Sequence, residues 1–334
     1  MSHNPKLNVY ILTLNSKNES ITTFRNLFQF KYADKEITDD ELFNLYYDDF
    51  INKIGKDEFK KYESSKKVLG IFDDVPGNYS VSFDSKKCII DGILDGGKFG
   101  IRRESANIHN KKDKQIISEG SAVLDKYYFC LCTPLNDKFG FLLIQSYTEE
   151  TIQSVLKKFL RNFFLIDDKT NMITFDSYVP IEFIEKFKKE AKISAFSYSS
   201  KIDIGSILRD EKYTISGQSF NLKIELLPTQ KTLKPNTEIS QDITGALSSV
   251  TFMNKILGNF KKKVKITDEK NRNAIYDITK ELSTIKPTIY LLDAGIEVDS
   301  DTGIVNFEQV KEYCLKLLTQ VQKEFKRETN IDET

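Results

Sequence analysis

Two apolar runs set one short turn apart, Tyr127 to Thr133 and Phe139 to Tyr147, constrain this chain more than any other feature. Both carry the aromatic and large aliphatic residues that suit a pleated, half-buried surface. The five residues between them, Pro134-Leu135-Asn136-Asp137-Lys138, read as the loop of a β-hairpin. Further short β-like segments stand at Asn8 to Leu14, Lys67 to Phe72, Tyr79 to Phe83 and Cys88 to Leu94, with turn residues at Pro76-Gly77-Asn78 and Asp84-Ser85. The first of these reads as a central strand. Strands that cluster around turns, instead of alternating strictly with helices, define an α+β class with mainly antiparallel sheets and helices packed on one face of each.

Helical segments are marked by three- and four-residue apolar spacing. Ile37 to Ile54 places Leu42, Leu45, Tyr46, Phe50 and Ile54 on one stripe, with Thr38 and Asp39 as N-terminal caps. Thr148-Glu149-Glu150 opens a second helix whose stripe is Ile152, Val155, Leu156, Phe159, Leu160 and Phe163. A last helix from Asn306 carries Phe307, Val310, Cys314, Leu317, Val321 and Phe325, with Asn306 and Gln309 as a capping-box-like pair.

At 334 residues the chain exceeds the size at which single cores stop growing. The polar bridge Asp167-Asp168-Lys169-Thr170-Asn171 divides it into an N-terminal domain, 1–166, and a C-terminal domain, 172–326, followed by a frayed tail, 327–334. In the second domain, a strand at Met172 to Phe175 leads to a helix from Pro180 to Ala191 and a strand at Ile193 to Tyr198. Phe220 to Leu227 alternates as a strand with one wet face, Ile239 to Phe260 reads as mostly helical, and Lys263 to Thr267 pairs with Ala274 to Ile278.

Forty-nine basic residues balance forty-nine acidic ones, so any attraction to nucleic acid or anionic lipid must come from a local patch. No apolar run approaches the roughly 20 residues of a membrane span, and the N-terminus lacks the pattern of a secretory signal. A cytoplasmic protein without membrane contact is expected. Heavy use of Phe, Tyr, Ile, Lys and Asn suits an AT-rich, bacterial source. With two histidines and four cysteines, Cys130 and Cys132 alternating within one strand, a zinc site is not expected and the thiols read as reduced structural groups.

Chemistry-bearing residues concentrate between Asp91 and Glu104, where Gly92, Gly96, Gly97 and Gly100 permit close backbone approach. Asp91, Asp95 and Glu104 are candidate ligands for Mg²⁺, with Lys98 placed to stabilise developing phosphate charge in a metal-dependent nuclease or other phosphodiester enzyme. The phosphate-loop signature fails, because Phe99 follows Gly97-Lys98 where Ser or Thr is required. The same residues also suit a twisted hairpin or a bulge in a sheet, with charged residues on its wet face. Lys98, Arg102, Arg103, Lys111, Lys112 and Lys114 form a basic segment able to meet a nucleic-acid backbone without reading sequence. Lys261 to Lys265 forms another basic run, and His109 reads as a solvated loop residue.

Tyr127-Tyr128-Phe129, Pro134-Leu135-Asn136 and Gly140 to Ser146, followed by the helix from Thr148, resemble uncharacterised bacterial proteins of phage-defence and mobile-element loci. The resemblance spans Gly92 to Phe164 and implies a defence or accessory role, with no catalytic residue to carry over. The function expected from the sequence is a non-catalytic interaction protein, a sensor or accessory subunit meeting other protein subunits and needing no cofactor. The alternatives are the Mg²⁺-dependent phosphodiester enzyme and a sequence-tolerant nucleic-acid-binding protein.

Overall fold

The computed structural model describes residues 4–75, 78–100, 102–107, 109–148, 151–166, 173–203, 219–229, 233, 245–246, 251–252, 255–256, 260–270, 273–277 and 286–331. The chain forms two compact units, one of residues 1–178 and 289–334 and the other of residues 179–288. The first unit begins β1 (Lys6–Leu14), α1 (Phe24–Tyr32), α2 (Asp39–Ile54), β2 (Lys60–Tyr62), β3 (Lys67–Ile71), β4 (Asp73–Val75), β5 (Asn78–Tyr79), β6 (Ser82–Asp84) and β7 (Ile89–Lys98). It continues β8 (Arg103–Asn107), β9 (Asn110–Ile117), β10 (Val123–Cys132), β11 (Phe139–Ser146), α3 (Gln153–Phe163) and β12 (Ile173–Tyr178). The second unit holds α4 (Ile181–Glu190), β13 (Lys192–Asp203), β14 (Ser219–Leu226), β15 (Thr251–Phe252), β16 (Lys255–Ile256), β17 (Lys261–Thr267) and β18 (Asn273–Asp277). The chain then returns through β19 (Ile289–Tyr290) and α5 (Phe307–Ile331).

The class is α+β with antiparallel sheets. The principal sheet runs β12-β1-β11-β10-β7-β3-β2, with β19 also pairing β1 and β6 also pairing β7. The hairpin expected from the two apolar runs is β10–β11, in register from Phe129 opposite Ile144 to Cys132 opposite Phe141. Strand β1 is interior, as its composition implies, between β11 and β12.

Helices cover both faces of this sheet, which corrects the expectation of one. Leu12, Phe129, Leu131, Leu142 and Ile144 pack on one face with α1, α2 and α3. Alternate residues on the other face meet α5: Phe141 lies 5.9 Å from Phe325, and Gln322 Nε2 lies 3.4 Å from Cys132 Sγ. From Tyr127 onward β10 is thus buried on both sides, as is β11, an arrangement that leaves little room for wet-face alternation.

Local signals explain the helix limits. The Thr38 hydroxyl accepts from Glu41 N and the Glu41 carboxylate accepts from Thr38 N, a reciprocal box at the start of α2. Gly55 ends α2 in the left-handed region at φ 113°, where its missing Cβ removes the steric cost. Of the expected α2 stripe, Leu45 faces water at 42% exposure, while Phe43 fills the core in its place. Helix α1 escaped the sequence reading although Thr23 and Asn26 form a second box over Phe24, Leu27 and Phe28. Helix α5 continues to Ile331, through the first residues of the expected tail. Gln309 N takes the Asn306 cap, but the Gln309 side chain turns away to accept from Glu297 N.

The bridge 167–171 and Met172 lie outside the described residues. Immediately beyond them β12 pairs with β1, so contacts divide the chain after Tyr178 and join 289–334 to the first unit, whereas the sequence reading divides it at 167–171 and keeps α5 with the second domain. In the second unit β14-β13-β17-β18 form a sheet, and Phe187 of α4 packs with Ile193, Phe196, Tyr198, Val264 and Ile266. Thr251–Phe252 and Lys255–Ile256 pair as a short ribbon within the stretch expected to be helical; most of that stretch lies outside the described residues.

Leu12 is fully buried between α1–α3 and the sheet. Leu12→Ala is expected to lower unfolding stability by about 2–5 kcal/mol. Leu45→Ala should change it by no more than about 0.5 kcal/mol. Urea unfolding of the two variants beside the parent chain measures both.

Candidate functional site

The glycine-rich segment is a regular strand. Strand β7 pairs with β10 from Ile89 opposite Cys132 to Lys98 opposite Val123 without a register shift, so the expected bulge is not formed. The glycines answer to neighbours across the sheet and above it. A Cβ on Gly97 would stand 1.7 Å from the Val123 carbonyl oxygen, and one on Gly92 would stand 2.4 Å from that of Ser80. Close packing of protein on protein accounts for both positions.

Regular alternation sends Asp91 and Asp95 to the same face, but four residues of strand separate their Cα atoms by roughly 13 Å. One metal ion cannot be chelated across that span. Asp91 is 6% exposed and its oxygens are already engaged. Tyr128 Oη donates to Oδ2 at 2.8 Å, Lys311 Nζ stands 2.9 Å from the same oxygen, and Ser82 Oγ donates to Oδ1 at 3.1 Å. Burial and the nearby carboxylate push the Tyr128 phenol well up, so it stays a proton donor. Asp91 therefore sits in a closed ion-pair and hydrogen-bond set linking β6, β7, β10 and α5.

Cys130 and Cys314 lie in the same region, both fully buried, and burial raises both thiols, with the Asp91 charge adding to the rise. Cys132 is pushed up to about 12. Buried thiols held in the protonated form are poor nucleophiles. All four cysteines are free.

Glu104 lies elsewhere, on β8. Strands β8 and β9 form a two-stranded sheet of their own, with Glu104 opposite Ile116 and Ala106 opposite Lys114. Lys114 Nζ reaches Glu104 at 2.8 Å. Strand alternation puts Lys112 and Lys114 on one face of this ribbon and Lys111 on the other. Arg102 precedes the ribbon and is exposed, Arg103 starts it, and the exposed His109 lies at its tip. Lys98 ends β7 at the ribbon's base, half-buried.

The expected nuclease carboxylates are therefore distributed over a core ion pair, a half-buried strand position and a surface hairpin. Among the described residues no group of three or more His, Cys, Asp or Glu is placed to hold a metal ion. The basic segment is brought together only in part. In the second unit the other basic run, Lys261 to Lys265, lies on β17 with Val264 and Ile266 turned to the core. Among the described residues no helix is long and apolar enough to cross a membrane.

Gln145 and Ser146, the polar residues that end β11, are buried. Ser146 Oγ accepts from Asn8 Nδ2 at 2.9 Å and from Gln153 Nε2 at 3.1 Å, and Tyr10 Oη donates to Gln153 Oε1 at 2.8 Å. This set ties α3 to the central strands. Sequence reasoning missed Lys311 as the partner of Asp91, and nothing local signals it because the two lie on separate stretches of the chain, 1–178 and 289–334.

The chain matches no protein-family model and no curated protein.

Removing Lys311 leaves a carboxylate in a site with little access to water. Lys311→Met is expected to destabilise the protein by about 1–3 kcal/mol. Adding Asp91→Asn should recover part of that loss, because the second change removes the orphaned charge. Chemical unfolding of both single variants and the double variant measures the coupling; strictly additive losses would place Asp91 and Lys311 out of contact.

Proposed function

We propose that this protein is a non-catalytic interaction protein, a sensor or accessory subunit, whose contact element is the β8–β9 ribbon. One observation carries the reading. The ribbon leaves the principal sheet between β7 and β10 and pairs with no other strand among the described residues, and its described side chains are almost all exposed. A free edge offers main-chain hydrogen bonds to an added strand. Ile116 is 59% exposed on the face that carries Lys112 and Lys114, and Val123 and Leu124 add exposed apolar surface at the base. Apolar anchors rimmed by charge are the composition of a protein-contact surface.

The closed environment of Asp91 supports the non-catalytic half of the reading. The bacterial and defence-associated setting draws its support from the resemblance of the segment Gly92 to Phe164, and the cytoplasmic setting from the sequence pattern. A second reading has its own support: five basic residues stand on or beside the ribbon against Glu104 and Asp113. A two-stranded ribbon is a shape the DNA major groove admits. Backbone contact by these lysines would be tolerant of sequence and steeply weakened by salt.

Tagged protein expressed with its native genomic neighbourhood should recover a stoichiometric protein partner. Recovery should be lost when Ile116→Asp and Lys112→Glu are combined. Robust turnover of nucleic acid by the purified chain in Mg²⁺, alongside recovery of monomer alone, would overturn the proposal. Labelled duplex titrated across a salt series tests the second reading. Binding that vanishes with rising salt, and with Lys111, Lys112 and Lys114 replaced by Ala, would favour nucleic acid over protein.

A further inference from the structure

A cleft of about 920 Å³ opens in the first unit between α1, α2, β2 and α3. Five of its lining residues are lysines: Lys31, Lys53, Lys60, Lys61 and Lys158. They come from four different elements, so the concentration arises from folding and not from a basic run. Like charges gathered in one concavity repel, and a surface with no use for them would interleave acids.

The acids nearby leave the excess in place. Glu63 lines the cleft, but its carboxylate is taken by Lys66 at 2.7 Å. Asp49 meets Lys53 at 2.9 Å and also accepts from Tyr32 Oη at 2.8 Å. Among the described residues no carboxylate stands within ion-pair distance of Lys60, Lys61 or Lys158, and Asp49 acts on Lys60 only from farther off. Lys31 gives its ammonium to the Phe163 carbonyl, and burial together with Lys53 pushes its pKa down to about 8.

Aromatic faces also stand beside the ammonium groups. Lys31 lies 4.9 Å from the Phe163 ring centre, Lys53 lies 5.7 Å from the same ring, and Lys60 lies 5.4 Å from the Phe159 ring. Lys158 stands 5.9 Å from the Tyr62 ring. These cation–ring contacts hold the charges around the rim of the cleft. Phe159 and Phe163 are stacked on each other and each only 3% exposed. They present no free face for a nucleobase, which single-strand binders require of their aromatic residues. The volume is that of a small-molecule site.

We propose that this cleft binds a small, multiply charged phosphate compound, with the five lysines meeting its anionic oxygens and Asn162 at the wall offering an amide. Lysine suits the task as a mobile point charge, and several are needed to neutralise a chain of phosphates. This site is separate from the ribbon and goes beyond the interaction role proposed for it. A free polyphosphate and the phosphate tail of a nucleotide share the recognised chemistry.

Titration calorimetry with sodium tripolyphosphate, ATP and inorganic phosphate at low salt tests the proposal on the full chain. Tripolyphosphate should bind at least about tenfold more tightly than inorganic phosphate, a difference of about 1.4 kcal/mol. The advantage should disappear in Lys60→Ala/Lys158→Ala, whose replaced ammonium groups project from the surface and whose thermal unfolding should stay cooperative. Equal binding of ATP and tripolyphosphate identifies the phosphate chain as the whole determinant, and tighter ATP adds nucleoside contacts; either result supports the site. The ribbon variant Lys111→Ala/Lys112→Ala should bind tripolyphosphate as the parent does, so the two proposals fail separately. Absence of tripolyphosphate binding, unchanged affinity in the cleft variant, or binding only of a single-stranded oligonucleotide would overturn it.

Discussion

Burial of β10 and β11 on both faces is the constraint on which the first unit depends. Their apolar residues run almost without interruption, so either face left in water would expose a continuous strip of aromatic and aliphatic surface. Burying such surface is worth roughly 25 cal/mol per Å², which makes a one-sided arrangement costly. The α1–α3 layer covers the face that includes Phe129 and Ile144. The opposite face, which includes Cys130, Cys132 and Phe141, requires another helix, and α5 is the segment that supplies it. The chain therefore leaves the unit after β12, forms the second unit, and comes back.

The same constraint explains why the most reactive-looking residues are structural. A strand at the middle of a covered sheet cannot carry an unpaired carboxylate, because the loss of hydration exceeds what isolated hydrogen bonds return. Asp91 is tolerated because Tyr128, Ser82 and Lys311 reach it from three directions. Lys311 arrives on α5, so the helix that closes the sheet also brings the counter-charge. The aromatic wealth of the sequence follows a similar course: Phe28, Tyr46, Phe50, Phe163 and Phe164 form a contiguous aromatic cluster in the core, and are not surface available to partners.

Exposed chemistry is left to the periphery. The β8–β9 ribbon escapes the packing constraint because it leaves the sheet, which is why it can keep lysines and Ile116 in water. The lysine cleft lies at the rim of the α1–α3 layer, where long side chains can rest their stems against the core and hold their charged ends outward.

Local order was legible in the residues themselves. The β10–β11 hairpin, the α3 stripe, the Thr38 cap and the start of α5 all depend on interactions within a few residues, and period and capping chemistry report such interactions directly. The clustering of strands likewise revealed the α+β class. What the tertiary structure alone decided was pairing at long range. Helix α5 lies across the face of the sheet opposite α1–α3, Lys311 meets Asp91, and lysines from four separate elements converge on one cleft. No local pattern encodes these arrangements, because a helix stripe states that a face must be covered without naming what covers it. Asp91 illustrates the divide: its sequence neighbours suggested a metal ligand, and its spatial neighbours make it the anchor of the final helix.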